Sequence, residues 1–221
     1  MNSLKVILDP CKSPGIFAAK VWIREGSRAD PAMKKGIHNL LSSLLTRGCG
    51  QYDHLAIADI IEGCGAALGC ETYEDGIIIS LKCTDQKSSE LLPILNFMMN
   101  DAHLRNEQIS LEKNLSIQAL KRLTENPFNV AFNQWKKFAY KCHPYSHQTL
   151  GSINHLESIT REDILELYKS FKIREKILVI SGSFSSDIDN YIASIEQQNY
   201  SVKQQEFQSI ETNKTNLNSR I

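Results

Sequence analysis

Gly36-Ile37-His38-Asn39-Leu40-Leu41-Ser42-Ser43-Leu44-Leu45-Thr46-Arg47-Gly48 is the stretch from which the rest of the chain is read. Ile37, Leu40, Leu41, Leu44 and Leu45 recur at three- and four-residue spacing, which is the period of a helix with one apolar face. Gly48 follows directly, where a glycine commonly ends a helix. Asn39 and Ser43 are four residues apart, so they lie on the same side of that helix.

Outward from this helix, the chain alternates short strand patterns with amphipathic helices. Before it, Leu4 to Leu8 and Ile16 to Ile23 read as strands, separated by a Pro14-Gly15 turn. After it, Leu55 to Cys64 reads as a helix. Ala66 to Thr72 and Gly76 to Cys83 then form two strands around an acidic turn. Lys87 to Asn100 and Asn106 to Glu125 are helical, and Asn126-Pro127 interrupts the run before Phe128 to Tyr140 continues it. His143 to Ser152 is loop, and Ile153 to Ile159 is a short helical turn. Thr160 with Glu162 and Asp163 marks the start of a helix reaching Phe171. Lys176 to Gly182 is a strand, and Ser185-Ser186-Asp187 caps a last helix through about Gln197. Residues 1–200 form one module and 201–221, rich in Gln, Asn, Ser and Thr, a polar linker or tail. The expected fold class is α+β, a largely antiparallel sheet with helices packed on one face.

Composition narrows the function classes. The 221 residues carry 25 basic and 25 acidic side chains, so no field of either sign suggests a nucleic acid or an anionic membrane as partner. No apolar run reaches the roughly 20 residues that span a bilayer, and Met1 to Pro10 lacks a signal-peptide pattern. The six cysteines form no Cys-x-x-Cys pair and no zinc-ribbon spacing. They are expected to be free, mostly buried thiols, which points to a reducing compartment such as the cytoplasm.

Six segments in order resemble the pitrilysin/insulinase-type peptidases, the inverted zincins, of which the mitochondrial-processing-peptidase group is one. Arg24 to Asp30 is similar to the family's x-x-G-S-R-x-E/D segment, and Gly36 to Gly48 to its G-hydrophobic-A-H-x-L-E-H-x-x-F-x-G helix. Glu125-Asn126-Pro127, His143-Pro144-Tyr145 with Leu150-Gly151-Ser152, Ile159 to Asp163, and Leu178 to Phe184 resemble its E/D-x-P, H-P-x-G, I-T-x-x-D and V-V-x-G-x-F segments. The resemblance implies a half-module of the processing-peptidase type, partnered by a second module.

In active members the two motif histidines and a distal Glu hold zinc, and the motif Glu activates the metal-bound water. Zinc requires imidazole, carboxylate or thiolate donors with one position open, and the water requires a carboxylate base. In register, this chain has Asn39 and Ser43 for the two histidines and Ser42 for the Glu. Counting 76 positions on from Ser43, the family's spacing to the third ligand, reaches Ala119. Glu112 matches a second carboxylate of that helix. The resemblance therefore implies a degenerate zinc motif, no catalytic residue and no bound cofactor. The implied role is a zinc-free subunit that pairs with an active homologue to enclose and bind peptides. The alternatives are a stand-alone peptide-binding or scaffold protein, and an active zinc endopeptidase with displaced ligands.

Other chemistry finds little support. His38 lies about 100° around the helix from Asn39, and His143 and His147 are separated by Pro144 in a loop. His54, His103 and His155 are isolated and expected to face solvent, while Trp22 and Trp135 are expected to be core or half-buried packing residues. No Gly-x-Ser-x-Gly elbow occurs, so Ser181-Gly182-Ser183 is a weak nucleophile candidate. No local pattern supports Cys49 or Cys83 paired with His143. Gly63-Cys64-Gly65 lacks the Lys-Ser/Thr of a phosphate loop.

Overall fold

The sheet is built from strands whose alternate residues point into one core. In β2 (Ile16–Ile23), Phe17, Ala19, Val21 and Ile23 are fully buried, whereas the residues between them are half-buried or exposed. The neighbours of β2 are β6 (Ile77–Thr84) and β7 (Lys176–Gly182), both antiparallel to it. In register, Val21 faces Ile79 on one side and Leu178 on the other, and Ala19 faces Leu81 and Ile180. Because side chains alternate with period two, this register gathers one apolar set on a single face.

The computed structural model describes residues 4–11, 15–184, 188–193 and 195. The sheet order is β1-β7-β2-β6-β5, where β1 is Leu4–Pro10 and β5 is Ala67–Thr72. Only β1 with β7 is parallel among the pairings of this sheet. A small hairpin, β3 (Gly48–Cys49) with β4 (Tyr52–Asp53), was outside the sequence reading because two-residue strands carry no periodicity. The expected cap at Ser185 to Asp187 and the polar stretch 201–221 lie outside the described residues.

The helices cover the buried face. They are α1 (Ile37–Leu45), α2 (His54–Gly63), α3 (Ser88–Asn100), α4 (Asn106–Glu125), α5 (Pro127–Tyr140), α6 (Ile153–Ser158) and α7 (Arg161–Ile173). α3 packs on β2 and β6, and α1 packs against β5, α4 and α7. The five apolar residues of α1 are all buried, as the spacing predicts. α7 starts with a reciprocal capping box: the Thr160 hydroxyl accepts from Asp163 N–H, and the Asp163 carboxylate accepts from Thr160 N–H. The architecture is the expected α+β fold.

Several side chains sit differently from their sequence reading. α5 buries no residue, and Trp135 is 53% exposed rather than a packing residue. Trp22, by contrast, is half-buried, as its reading allows. Only Cys49 and Cys83 are buried among the cysteines; Cys64 and Cys70 are half-buried, and Cys11 and Cys142 are exposed beyond the ends of β1 and α5. His54, His103 and His155 are half-buried, not solvent-facing. The His103 ring is held by Gly50 O, 2.7 Å from Nε2. Among the described residues, no helix is long and apolar enough to cross a membrane.

Candidate functional site

α1 is positioned by a carboxylate brought from outside it. Gly36 takes the N-cap position with φ of 97°, a conformation open to glycine, and supplies no capping side chain. Asp30 takes over: its carboxylate accepts from Gly36 N–H at 2.6 Å and from His38 N–H at 3.2 Å. A negative group there also complements the positive end of the helix. Gly36 lies so close to Gly151 of the 147–152 loop that a Cβ on either would overlap the other segment's backbone.

The positions singled out by the sequence cluster where α1 meets α4 and the edge strand β5. Ser42 is buried, and Asn39 and Ser43 are half-buried. The Ser42 and Ser43 hydroxyls both donate to the Asn39 carbonyl, at 2.9 and 3.2 Å. Thr72 of β5 donates to the His38 carbonyl at 3.3 Å, tying the edge strand to the same helix. On α4, Ala119 and Glu112 are seven residues apart and share a face. Glu112 is buried and accepts from Arg47 Nε at 2.5 Å, just beyond the end of α1. The donors on offer are an amide, two hydroxyls turned onto a backbone carbonyl and a methyl group. These are poor groups for zinc, which takes imidazole, carboxylate or thiolate. Among the described residues, no group of three or more His, Cys, Asp or Glu is placed to hold a metal ion.

The neighbouring charge cluster was missed by the sequence reading. His38 is 1% exposed, with Nδ1 2.6 Å from Asp30 Oδ1 and Nε2 3.7 Å from Glu25 Oε1. The second contact is an ion pair without a hydrogen bond, so Nε2 has no hydrogen-bond partner. Arg174 grips Glu25 with two bonds of 2.8 Å, from Nε and from a terminal nitrogen. Burial alone would lower the His38 pKa, but Asp30 and Glu25 outweigh it and raise it above the ordinary imidazole value. Burial alone would raise Glu25, but His38 and Arg174 outweigh it and hold it below the ordinary carboxylate range. A signal was available. The family pattern carries Ala at this position of the apolar helix, and a buried charge there demands a partner.

The other candidate chemistry is silenced by burial or committed to local structure. Burial pushes the Cys49 thiol up to about 12 and the Cys83 thiol up to about 11, so neither is a thiolate near neutral pH. His143 is exposed, and its Nδ1 accepts from Tyr145 N–H at 3.2 Å, capping the short turn Pro144–Ser146.

The family model for Insulinase (Peptidase family M16) matches residues 12–152. A probable mitochondrial-processing peptidase subunit beta from Arabidopsis thaliana is 21% identical over 181 residues, covering 82% of this chain and 34% of the relative. An uncharacterized zinc protease from Rickettsia felis is 23% identical over 206 residues, covering 93% and 50%. Among solved structures, a peptidase M16 inactive domain from Pseudomonas fluorescens superposes with a TM-score of 0.77 at 21% identity, covering 89% of this chain and 48% of that one. The chain thus spans between a third and a half of the length of the curated relatives it matches.

Proposed function

Because the chain belongs to the insulinase family of peptidases (M16), we propose that it is a non-catalytic, zinc-free module of such a peptidase. In this reading it pairs with an active homologue or a second module to enclose and bind peptides. The observation that carries the reading is the state of the motif helix. At the register positions of the ligands and base stand Asn39, Ser43, Ala119 and Ser42, and both serine hydroxyls are spent on the Asn39 carbonyl. These residues do not fit a catalytic zinc, and no zinc-dependent step is assigned to them. The surviving carboxylate, Glu112, is taken by Arg47.

Two surfaces support the binding half of the reading. β5 lies at the edge of the sheet, alongside α1. An edge strand binds an extended peptide through backbone hydrogen bonds, which needs no catalytic side chain. α5 presents Phe128, Phe132 and Trp135 as an exposed, partly stacked stripe, with Phe128 at 71% exposure. Contiguous exposed apolar surface of this kind marks an interaction face. The partner it suits is a second module of this family, because the relatives are two to three times as long.

The test is purification from the source of the native protein, with zinc analysis and peptide hydrolysis measured for this chain alone and with whatever accompanies it. The reading expects a one-to-one complex with a His-x-x-Glu-His homologue, and hydrolysis only by the complex. Stoichiometric zinc and hydrolysis by this chain alone would overturn it. A chain that runs alone and cleaves nothing would move the assignment to a stand-alone binding or scaffold protein.

A further inference from the structure

Away from the motif positions, a cleft of about 440 Å³ opens between the C-terminal part of α4, one face of α5 and the 147–155 segment. Its permanently charged lining is of one sign, Lys35 and Lys137, with the imidazoles of His147 and His155 beside them and no Asp or Glu. Leu120, Leu123 and Ile153 supply apolar lining. The volume falls within the range of small-molecule sites, which are mostly apolar with a few convergent polar groups.

Three further observations set this cleft apart from an ordinary surface depression. First, two lining side chains hold buried polar atoms without a hydrogen-bond partner, Gln148 Oε1 and His155 Nδ1. Such atoms are uncommon in folded proteins and each calls for an explanation. A neutral imidazole carries its proton on either nitrogen, and a side-chain amide presents either its oxygen or its NH2, so both groups can donate to an anion. Second, the basic groups feel one another. Burial, then the charge of Lys35, then those of His155 and Lys137, hold the His147 pKa below its ordinary value, against the opposing pull of Asp30. Third, Asp30 is committed elsewhere, to Gly36 N–H, His38 N–H and the His38 ring. Among the described residues Lys137 and His147 have no ion pair, and the Lys35 ammonium is bonded to the Asp30 backbone carbonyl at 2.9 Å.

We propose that this cleft binds a carboxylate carried on a short apolar body. The carboxylate sits among Lys137, His147 and His155, and the body lies against Leu120, Leu123 and Ile153. Two sources share that chemistry, the free carboxyl-terminal residue of a peptide and a small organic acid. The apolar lining disfavours a bare inorganic anion, which would leave that surface in contact with water. The site is separate from the edge strand β5, and its existence does not depend on the peptide-holding reading above.

The experiment uses the full chain and follows the ring C–H signals of His147 and His155 by NMR during titration. The probes are N-acetyl-leucine and its amide, an N-acetylated pentapeptide ending in leucine as the acid and as the amide, and inorganic phosphate. The acids are expected to shift both histidines and to bind about tenfold or more tightly than the matching amides, because charge-assisted hydrogen bonds are lost with the carboxylate. Lys137 is exposed, so Lys137→Gln is expected to weaken the acids severalfold while leaving the urea midpoint unchanged. Tighter binding of the pentapeptide acid assigns the site to peptide ends, and equal or tighter binding of N-acetyl-leucine assigns it to small acids. Equal binding of acids and amides, phosphate binding as tightly as the acids, or no shift at either histidine with any probe would overturn the proposal.

Discussion

Replacing His38 by the alanine of the family pattern removes the centre of a buried charge cluster. The variant leaves Glu25 and Asp30, at 6% exposure each, without the imidazole between them. Removing one partner of a buried ion pair costs about 3–5 kcal/mol in general. Here each carboxylate keeps other partners, Arg174 for Glu25 and two backbone N–H groups for Asp30. The expected loss is therefore at the lower end, about 3 kcal/mol. With a urea slope of about 2 kcal/mol/M, the midpoint falls by about 1.5 M. The loss must also depend on pH in a definite direction. The His38 pKa is raised in the folded state, so its stabilisation is fully present below the ordinary 6.5 and is lost as pH rises through the folded value. The Glu25 pKa is lowered, so its contribution is present above the ordinary 4.5 and is lost as pH falls through the folded value. The cluster thus stabilises most between 4.5 and 6.5, and the difference between wild type and His38→Ala shrinks toward alkaline pH. Urea unfolding of both proteins at about pH 6 and pH 9 measures this directly, and Glu25→Gln added to His38→Ala recovers part of the loss if an uncompensated carboxylate is its cause. A difference below about 1 kcal/mol at pH 6, or the same difference at both pH values, would show that the cluster is not an ion-paired network.

Three other outcomes follow from the geometry. The combined substitution Asn39→His, Ser42→Glu, Ser43→His and Ala119→Glu is expected to bring zinc content to about one per chain by elemental analysis. A folded quadruple variant that retains none would refute the register assigned to Ala119. Gly151→Ala forces a side chain onto a residue with φ of 81° and into the Lys35 carbonyl, so a loss of more than about 2 kcal/mol is expected in thermal or urea unfolding. Trp135→Ala is expected to change the stability of the isolated chain by less than about 0.5 kcal/mol, as for an exposed position, yet to weaken one-to-one association with a second module in sedimentation experiments.

Local pattern carried much of the fold because the elements are well punctuated. The β2 and β7 spans and the α4 span are read to the residue, since Gly15, Gly182 and Asn126-Pro127 stop them. What was not legible is non-local. Nothing in Lys176–Gly182 announces that β7 inserts between β1 and β2, which are adjacent in sequence. The same limit hid the exposure of Trp135. A helical stripe of Phe128, Phe132 and Trp135 reads as core by period alone, but among the described residues it stays exposed. The cleft was beyond any motif search, because Lys35, Lys137 and the His147–His155 pair come from three separate segments without a characteristic spacing.

The contrast between the two polar regions bears on where function resides. At the motif positions themselves the polar side chains are satisfied: the serine hydroxyls bond Asn39 O and Glu112 bonds Arg47, while beside them Asp30 bonds the helix start and the His38 ring and only His38 Nε2 is left without a hydrogen bond. Such internal satisfaction removes the high-energy, unpaired groups that a catalytic site holds ready for substrate and metal. The helix packs against α4 and is tied to the edge strand β5 through Thr72. The cleft differs, with Gln148 Oε1 and His155 Nδ1 without partners and no carboxylate among its lining residues. Unsatisfied groups in a cavity of ligand size point to binding, whereas satisfied groups at the motif positions fit the non-catalytic role proposed above. On that reasoning, a change at Ser42 or Ser43 alone should alter stability more than ligand affinity. A change at Lys137 or His155 should do the reverse.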